Sequence, residues 1–287
     1  MFALKRTALG GVVLTLAALG PAQAQAPQGS AKQALAHPAW PSTVEAHYKL
    51  KFNGVGVGKI HFTSKMAGQA YTLDSRGEVS VLFGAIKWTG KSNVAGVVEG
   101  VEPAPKSYAF DWAKNKKGGA ITLGFAGRKV VNQSVEPPPS DNPELIKITD
   151  AHKVGVIDPL SAIMALTMGG KADPCDRRVR VFDGKQRFDI VFSAKRKAHI
   201  PASKSGVPSS VGYVCRAMYE PIAGHKNNEA SKSYAANRDA EVTLRKLPNS
   251  EVLIPHSVTV PTGWGTGSMV IDRIDVTAGT QRYALTE

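Results

Sequence analysis

The chain has 287 residues, 43% of them hydrophobic, which is too apolar for a disordered protein and enough for one large core. With 28 glycines, 18 prolines and long alternating segments it reads as a turn-rich β protein and not as a helical bundle. The formal charge is +13, yet the basic clusters at Lys114, Lys116 and Lys117, at Arg177, Arg178 and Arg180, and at Lys195, Arg196 and Lys197 lack the interleaved aromatic residues of a single-strand platform, so no nucleic-acid partner is expected.

Lys5 and Arg6 precede an apolar run from Ala8 to Leu19, followed by Gly20, Pro21 and the small-residue sites Ala22-Gln23-Ala24 and Ala24-Gln25-Ala26. This order defines a secretory signal peptide over residues 1–26, cleaved after Ala24 or Ala26. The apolar run is shorter than the roughly 20 residues that span a bilayer. The expectation is a periplasmic protein with no transmembrane segment after cleavage, a flexible leader over 27–43 and a single β-rich domain over 44–287.

Val44 to Phe52 alternates strictly and predicts a half-buried strand, and Asn53-Gly54 predicts a hairpin turn into Val55 to Thr63, with a bulge marked by Gly56 and Gly58. Further strands are predicted at Tyr71 to Glu78, Ala85 to Thr89, Ser92 to Val98 and Lys106 to Trp112, and the turn Lys114 to Gly119 leads into Ile121, Leu123 and Phe125. Pro137-Pro138-Pro139 interrupts strand formation. One helix is predicted over Asp158 to Met168, capped by Asp158, started by Pro159, stopped by Gly169-Gly170, and carrying Leu160, Ile163, Met164 and Thr167 on the face that packs on the sheet. Strands resume at Val179 to Phe182, at Phe188 to Phe192 beyond the turn Asp183-Gly184, and at Val211 to Tyr219. A polar, mobile loop is expected over Pro221 to Arg238. Closing strands are predicted at Ala240 to Leu247, Val252 to Val260 and Met269 to Val276, the last two joined by a wide turn at Gly263 to Gly267.

About a dozen strands with one principal helix predict a mainly β fold, a strongly curved antiparallel sheet in the form of a half-barrel or β-spiral, whose curvature hides its edges. The two cysteines, Cys175 and Cys215, form an even pair in an exported chain, and the expectation is a structural disulfide.

There is no Gly-x-Ser-x-Gly elbow, phosphate loop or dinucleotide fingerprint. The seven histidines lack zinc spacing; a site built in space from His47, His61 and a carboxylate is the alternative to surface histidines on strands, and no metal or cofactor is expected. Asp183 and Asp189 flank a hairpin beside Lys185 and Arg187, which reads as a salt-bridged turn and not as a glycosidase pair.

The ordered set Asp158-Pro159-Leu160-Ser161-Ala162, Pro174-Cys175, Val181 to Asp189, Cys215 and Tyr219-Glu220-Pro221-Ile222-Ala223-Gly224-His225 resembles the pattern of a family of proteobacterial exported proteins, domain of unknown function 3108. The resemblance implies a periplasmic protein with no assigned activity and an architecture similar to the curved half-barrels of the lipoprotein-sorting carriers; it supplies no catalytic residues.

Two functional readings follow. In the first, a non-enzymatic envelope protein holds a lipid or a lipoprotein acyl chain in its curved groove, with basic turns meeting a lipid, lipoprotein or other anionic envelope component; the candidate groove residues are Tyr48, Phe52, Phe110, Trp112 and Trp264. In the second, a scaffolding protein binds a partner protein or cell-wall polymer and has no ligand cavity. An enzyme is not expected.

Overall fold

On the first strand, β1 (Thr43–Phe52), Ala46 and Tyr48 are buried while Glu45 and Lys49 face water, the period of two that a sheet covered on one face imposes. The computed structural model describes residues 40–168, 173–247, 250 and 252–287, apart from the side chain of Phe83. The expected signal peptide, most of the leader and the Gly169-Gly170 stop lie outside the described residues. Asn53 and Gly54 take left-handed positions (φ 48° and 82°) in a tight turn, and β2 (Val55–Ala67) returns along β1. Gly58 lies opposite Leu50 and Gly56 opposite Lys51, so Val57 is the extra residue of a bulge at the expected glycines.

The strands β3 (Ala70–Val81), β4 (Ile86–Glu99), β5 (Glu102–Lys114), β6 (Lys117–Ala126) and β7 (Lys129–Glu136) follow as hairpins. After the helix α1 (Pro159–Thr167) come β8 (Arg177–Phe182), β9 (Arg187–Ile200) and β10 (Ser210–Ala223), then the helix α2 (Glu229–Ala236) and β11 (Glu241–Lys246), β12 (Leu253–Thr262), β13 (Gly265–Ala278) and β14 (Gln281–Thr286). All fourteen strands join one antiparallel sheet in the order β7-β6-β5-β4-β3-β2-β1-β13-β12-β11-β10-β9-β8, with β14 on β13. β13 carries β1 along one side, and on the other side β12 over its first half and β14 over its second.

The sheet does not close on itself. A short extended segment fills the gap between its outer strands: Val154 bridges to Lys129, the Val156 N–H donates to the Arg128 carbonyl (3.0 Å), and Ile157 exchanges two 3.0 Å hydrogen bonds with β8, donating to Arg180 and accepting from Phe182. Edge groups of both outer strands thereby find partners.

Asp158 comes next and caps α1, its Oδ1 accepting from the N–H groups of Leu160 (2.9 Å) and Ser161 (3.0 Å). The helix lies inside the wrapped sheet. Leu160 and Met164 join Tyr71, Val94, Leu123 and Phe182 in one core cluster, whereas Ala162, Ala165 and Leu166 join Val181, Cys215 and Leu244 in a second. Burial on both sides, and not the single packed face expected from the stripe, explains why the helix is apolar nearly all round. The Arg177 guanidinium at the start of β8 donates to the carbonyls of Ala165 and Met168 and fixes the end of the helix.

Several sequence expectations are corrected. Ala85 to Thr89 and Ser92 to Val98 are one strand, β4, because Gly90 is not a break: a side chain there would run into the rings of Trp88 and Phe110, so glycine serves packing. β7 and β14 have no clean alternation and were not expected. The Pro221 to Arg238 loop contains the end of β10 and α2, which Asn228 caps by accepting from the Ser231 N–H (3.0 Å). Thr262 pairs with Gly265, so the wide turn is a two-residue tip, Gly263-Trp264.

Cys175 and Cys215 are bonded to each other in the second core cluster, with Cα atoms 5.2 Å apart and a sequence separation of 40. A loop of that length stabilises the fold by about 4 kcal/mol in the chain-entropy model. Urea unfolding of Cys215→Ala, compared with the oxidised parent, is expected to show a loss of this size, and an unchanged midpoint would contradict it.

Candidate functional site

Two neighbouring cavities lie along the inner face of the sheet. The inner one, of about 340 Å³, lies between α1 and β1, β2, β12 and β13, with Tyr48, Phe62, Ile163, Thr167, Ile254 and Met269 among its walls. Its one ring hydroxyl is satisfied, since the Tyr48 OH donates to the Pro255 carbonyl at 2.8 Å. The outer one, of about 740 Å³, lies between α2 and the inner faces of β9 to β12, where Phe192, Tyr219, Tyr234 and Val260 contribute. Ile190, Val242 and Val258 line both. With these residues as a common wall, the two form an apolar tract of neighbouring cavities, one beside α2, at its mouth, and one beside α1.

The mouth is where the polar groups gather. The Tyr219 hydroxyl donates to Gln186 Oε1 (2.9 Å), and Lys226 pairs with Glu144 (3.3 Å). Among the described residues the buried Nδ1 of His225 has no hydrogen-bond partner. Gly224 has φ +83°, and a side chain there would strike the Lys185 carbonyl, so only glycine lets this segment lie against the β8–β9 turn. In that turn Asp183 Oδ1 accepts from the N–H groups of Lys185 (2.8 Å) and Gln186 (2.6 Å). The Asp189 partners are Arg187 (2.5 Å) and Arg178 (2.8 Å), which makes it part of an ion-pair cluster with Glu220 and leaves it out of the cavity. The segments Val181 to Asp189 and Tyr219 to His225 thus build the mouth together.

On the other side of α1, the Ser161 hydroxyl donates to Asp158 Oδ2 (2.5 Å) and lies 2.7 Å from the Tyr71 hydroxyl. Asp158 is fully buried, and burial pushes its carboxyl up to about 6 in spite of these hydrogen bonds.

The five groove candidates do not come together. Tyr48 alone borders the tract. Phe110 packs against Trp88 (6.5 Å between rings) at the first core cluster, and Trp112 lies 5.9 Å from the Lys185 ammonium. Phe52 is 40% exposed at a strand end, and Trp264 is 90% exposed on its hairpin tip. Period two fixes the face a side chain takes and says nothing about its height along the strand. The tract residues Ile190 and Phe192 stood in a predicted alternation, and Tyr219 and His225 in the family motif; nothing in the sequence singled out Val242 or Val258.

Outside the sheet, Glu45, His47 and His61 bring their ligand atoms within 4.8 Å of one another. The two imidazoles stack in parallel at 4.2 Å, which sets their nitrogens side by side and not toward a common point. Arg273 and Arg76 stand opposite them on the neighbouring strands, Arg273 held by Asp275 at 2.6 and 2.7 Å. Burial, then His47, holds His61 below the usual histidine range.

A sheet wrapped about a helix, its outer strands bridged by one extended segment and its concave side hollow, defines a barrel-like β domain. The solved structure of a beta-barrel-like protein of domain of unknown function DUF1849 from Brucella abortus superposes with a TM-score of 0.52, covering 83% of this chain and 99% of that one at 12% identity, a likeness of fold alone. The model of the family described as protein of unknown function (DUF3108) matches residues 46–272, and the chain belongs to that family. None of the curated proteins compared with the chain matches it. Among the described residues no helix is long and apolar enough to cross a membrane.

The buried Asp158 predicts a pH dependence of stability. Its folded pKa lies above the roughly 3.9 of an unfolded aspartate, so the folded state binds more protons between pH 4 and 6 and stability falls as pH rises through that window, by about 3 kcal/mol. Urea unfolding at pH 4 and pH 7 is expected to show this slope in the parent and a flatter one in Asp158→Asn, which keeps the cap; equal slopes would exclude the assignment.

Proposed function

We propose that this domain is a non-enzymatic periplasmic carrier that holds the apolar chain of an amphiphile, a lipid or a lipoprotein anchor, in the tract between α1 and the sheet, with the polar head at the mouth beside α2. The observation that carries the reading is the apolar tract itself, two neighbouring cavities that share Ile190, Val242 and Val258 as walls. Apolar walls with a few polar groups at one end suit a ligand that is greasy along its length and polar at its tip. Gln186, His225 and Lys226 supply donors where such a head would sit. The signal-peptide pattern over residues 1–26 supports export, and the absence of a catalytic motif in the sequence supports binding over chemistry.

Native mass spectrometry with lipid extraction, on protein purified gently from the periplasm of its own host, tests the reading. A co-purifying lipid of defined mass is expected, and it is expected to disappear in Val258→Trp, which fills the junction of the two cavities, while the circular dichroism of that variant stays that of the parent. A bare mass with the disulfide intact would overturn the carrier and favour the scaffold.

A further inference from the structure

We propose that the hairpin tips at one end of the sheet form a docking rim for an anionic phospholipid bilayer. Because all neighbouring strands are antiparallel, the β1–β2, β3–β4, β5–β6 and β12–β13 turns fall at the same end of consecutive hairpins. They are tied together in two pairs. The Asn53 N–H donates to the Thr266 carbonyl (2.9 Å) and Asn53 Oδ1 accepts from the Thr266 N–H (2.8 Å), which ties the β1–β2 tip to the β12–β13 tip. Asn115 Oδ1 accepts from the Lys87 N–H (2.9 Å), and the Asn115 N–H donates to the Lys87 carbonyl (3.0 Å), which ties β5–β6 to β3–β4.

These tips expose apolar side chains that a soluble hairpin does not need. Trp264 is 90% exposed, Leu82 69%, Val55 68% and Phe52 40%. Around them stand Lys51, Lys87, Lys114, Lys116 and Lys117, and none of these forms an ion pair among the described residues. The stretches 51–55, 82–87, 114–117 and 262–267 contain no aspartate or glutamate. At the opposite end the β4–β5 turn carries Glu99 and Glu102, the latter paired with Arg128 at 2.8 Å. A tryptophan and aliphatic tips inside a ring of free lysines are complementary to the headgroup layer of an anionic membrane, where indole rings settle and each basic residue near the surface strengthens binding.

The rim also adjoins the cavity mouth. Asn237, just after α2, donates from Nδ2 to the Pro261 carbonyl (2.8 Å), three residues before Trp264, and Tyr234, Asn237 and Val260 border the outer cavity. Docking by this end would set the mouth against the bilayer, a consequence that rests on the carrier reading, although the rim itself does not.

Vesicle flotation tests the rim, with the same chain in all variants so that the apolar stretch 8–19 contributes equally. The probes are vesicles of phosphatidylcholine alone and of phosphatidylcholine with 30 mol% phosphatidylglycerol (about a third anionic, in the range where the surface potential acts). The parent is expected to float with the anionic vesicles at low salt and to be released by high salt. Trp264→Ser is expected to weaken partitioning by about tenfold, and neutralising Lys114, Lys116 and Lys117 together by more, at about fivefold per lysine. These residues are exposed, so unchanged thermal unfolding serves as the folding control, and a blue shift of tryptophan emission on binding, lost in Trp264→Ser, reports insertion. No flotation of the parent, or flotation that the rim variants leave unchanged, overturns the proposal. A protein that co-purifies with a lipid yet ignores vesicles overturns the rim and leaves the carrier standing, whereas rim-dependent flotation of a protein with an empty tract supports the rim and removes the carrier. Loss of binding to one envelope protein, with vesicle binding unaffected, would assign the rim to a protein partner instead.

Discussion

The four residues from Val154 to Ile157 hold the architecture together. A sheet of fourteen strands that does not close must present two edges, and an edge is a row of unpaired backbone groups. Here one extended segment reaches both, through Arg128 on one side and Arg180 and Phe182 on the other, and then turns directly into a helix whose cap is the buried Asp158. The same few residues therefore pair the edges, locate the helix in the hollow of the sheet and decide how much of that hollow stays empty. Asp158 is a costly residue to bury, and three hydrogen bonds to its carboxylate offset the cost. With the cap in place, Leu160 and Met164 are directed to one half of the sheet and Ala162 and Leu166 to the other.

The distribution of charge separates structural from interfacial basic residues. Arg196 and Lys195 both pair with Glu241 and hold its carboxyl down at about 2, and the exposed Arg178 reaches both the buried Asp189 and the exposed Glu220. Arg187 and Asp189 are buried together, a geometry that matters mainly because removing either partner would strand the other. Two of the three basic clusters seen in the sequence are thus built into strands, with partners for Arg177, Arg178, Lys195 and Arg196, and only Lys114, Lys116 and Lys117 gather about a turn. The clustering was legible in the chain, but the pairing was not, because Glu241 and Glu220 are distant in sequence.

Most strands were legible because each covers one face and exposes the other, as on β1 and on Phe188, Ile190 and Phe192. Strands that lie at an edge or pair over a short length escaped: β7 presents Val130 buried and Val131 exposed without a regular alternation. Gly90 misled for a physical reason, since a glycine that makes room for an aromatic ring looks in sequence like one that breaks a strand. The helix and its cap were read from local chemistry that is complete within Asp158 to Thr167. The tract was not, because a cavity is what side chains from six or more elements fail to fill, and no local pattern records a missing volume. Aromatic residues were the natural first candidates, yet Phe110 and Trp112 serve packing and Phe52 and Trp264 reach solvent.

The pairing of β1 with β13 places the beginning and the end of the domain at the centre of the sheet, with Thr43 opposite Thr277, while the middle of the chain supplies its outer strands. Local hairpins on either side need only their own turns, but the central seam needs nearly the whole chain, and contacts of such sequence separation are slow to form. A nascent chain therefore has two incomplete half-sheets, each with a bare inner strand, until β13 emerges. Assembly of this protein is timed by its last strands, so that loss of a short C-terminal piece would leave two halves unable to meet, whereas an insertion in the middle of the chain would fall at the outer margin.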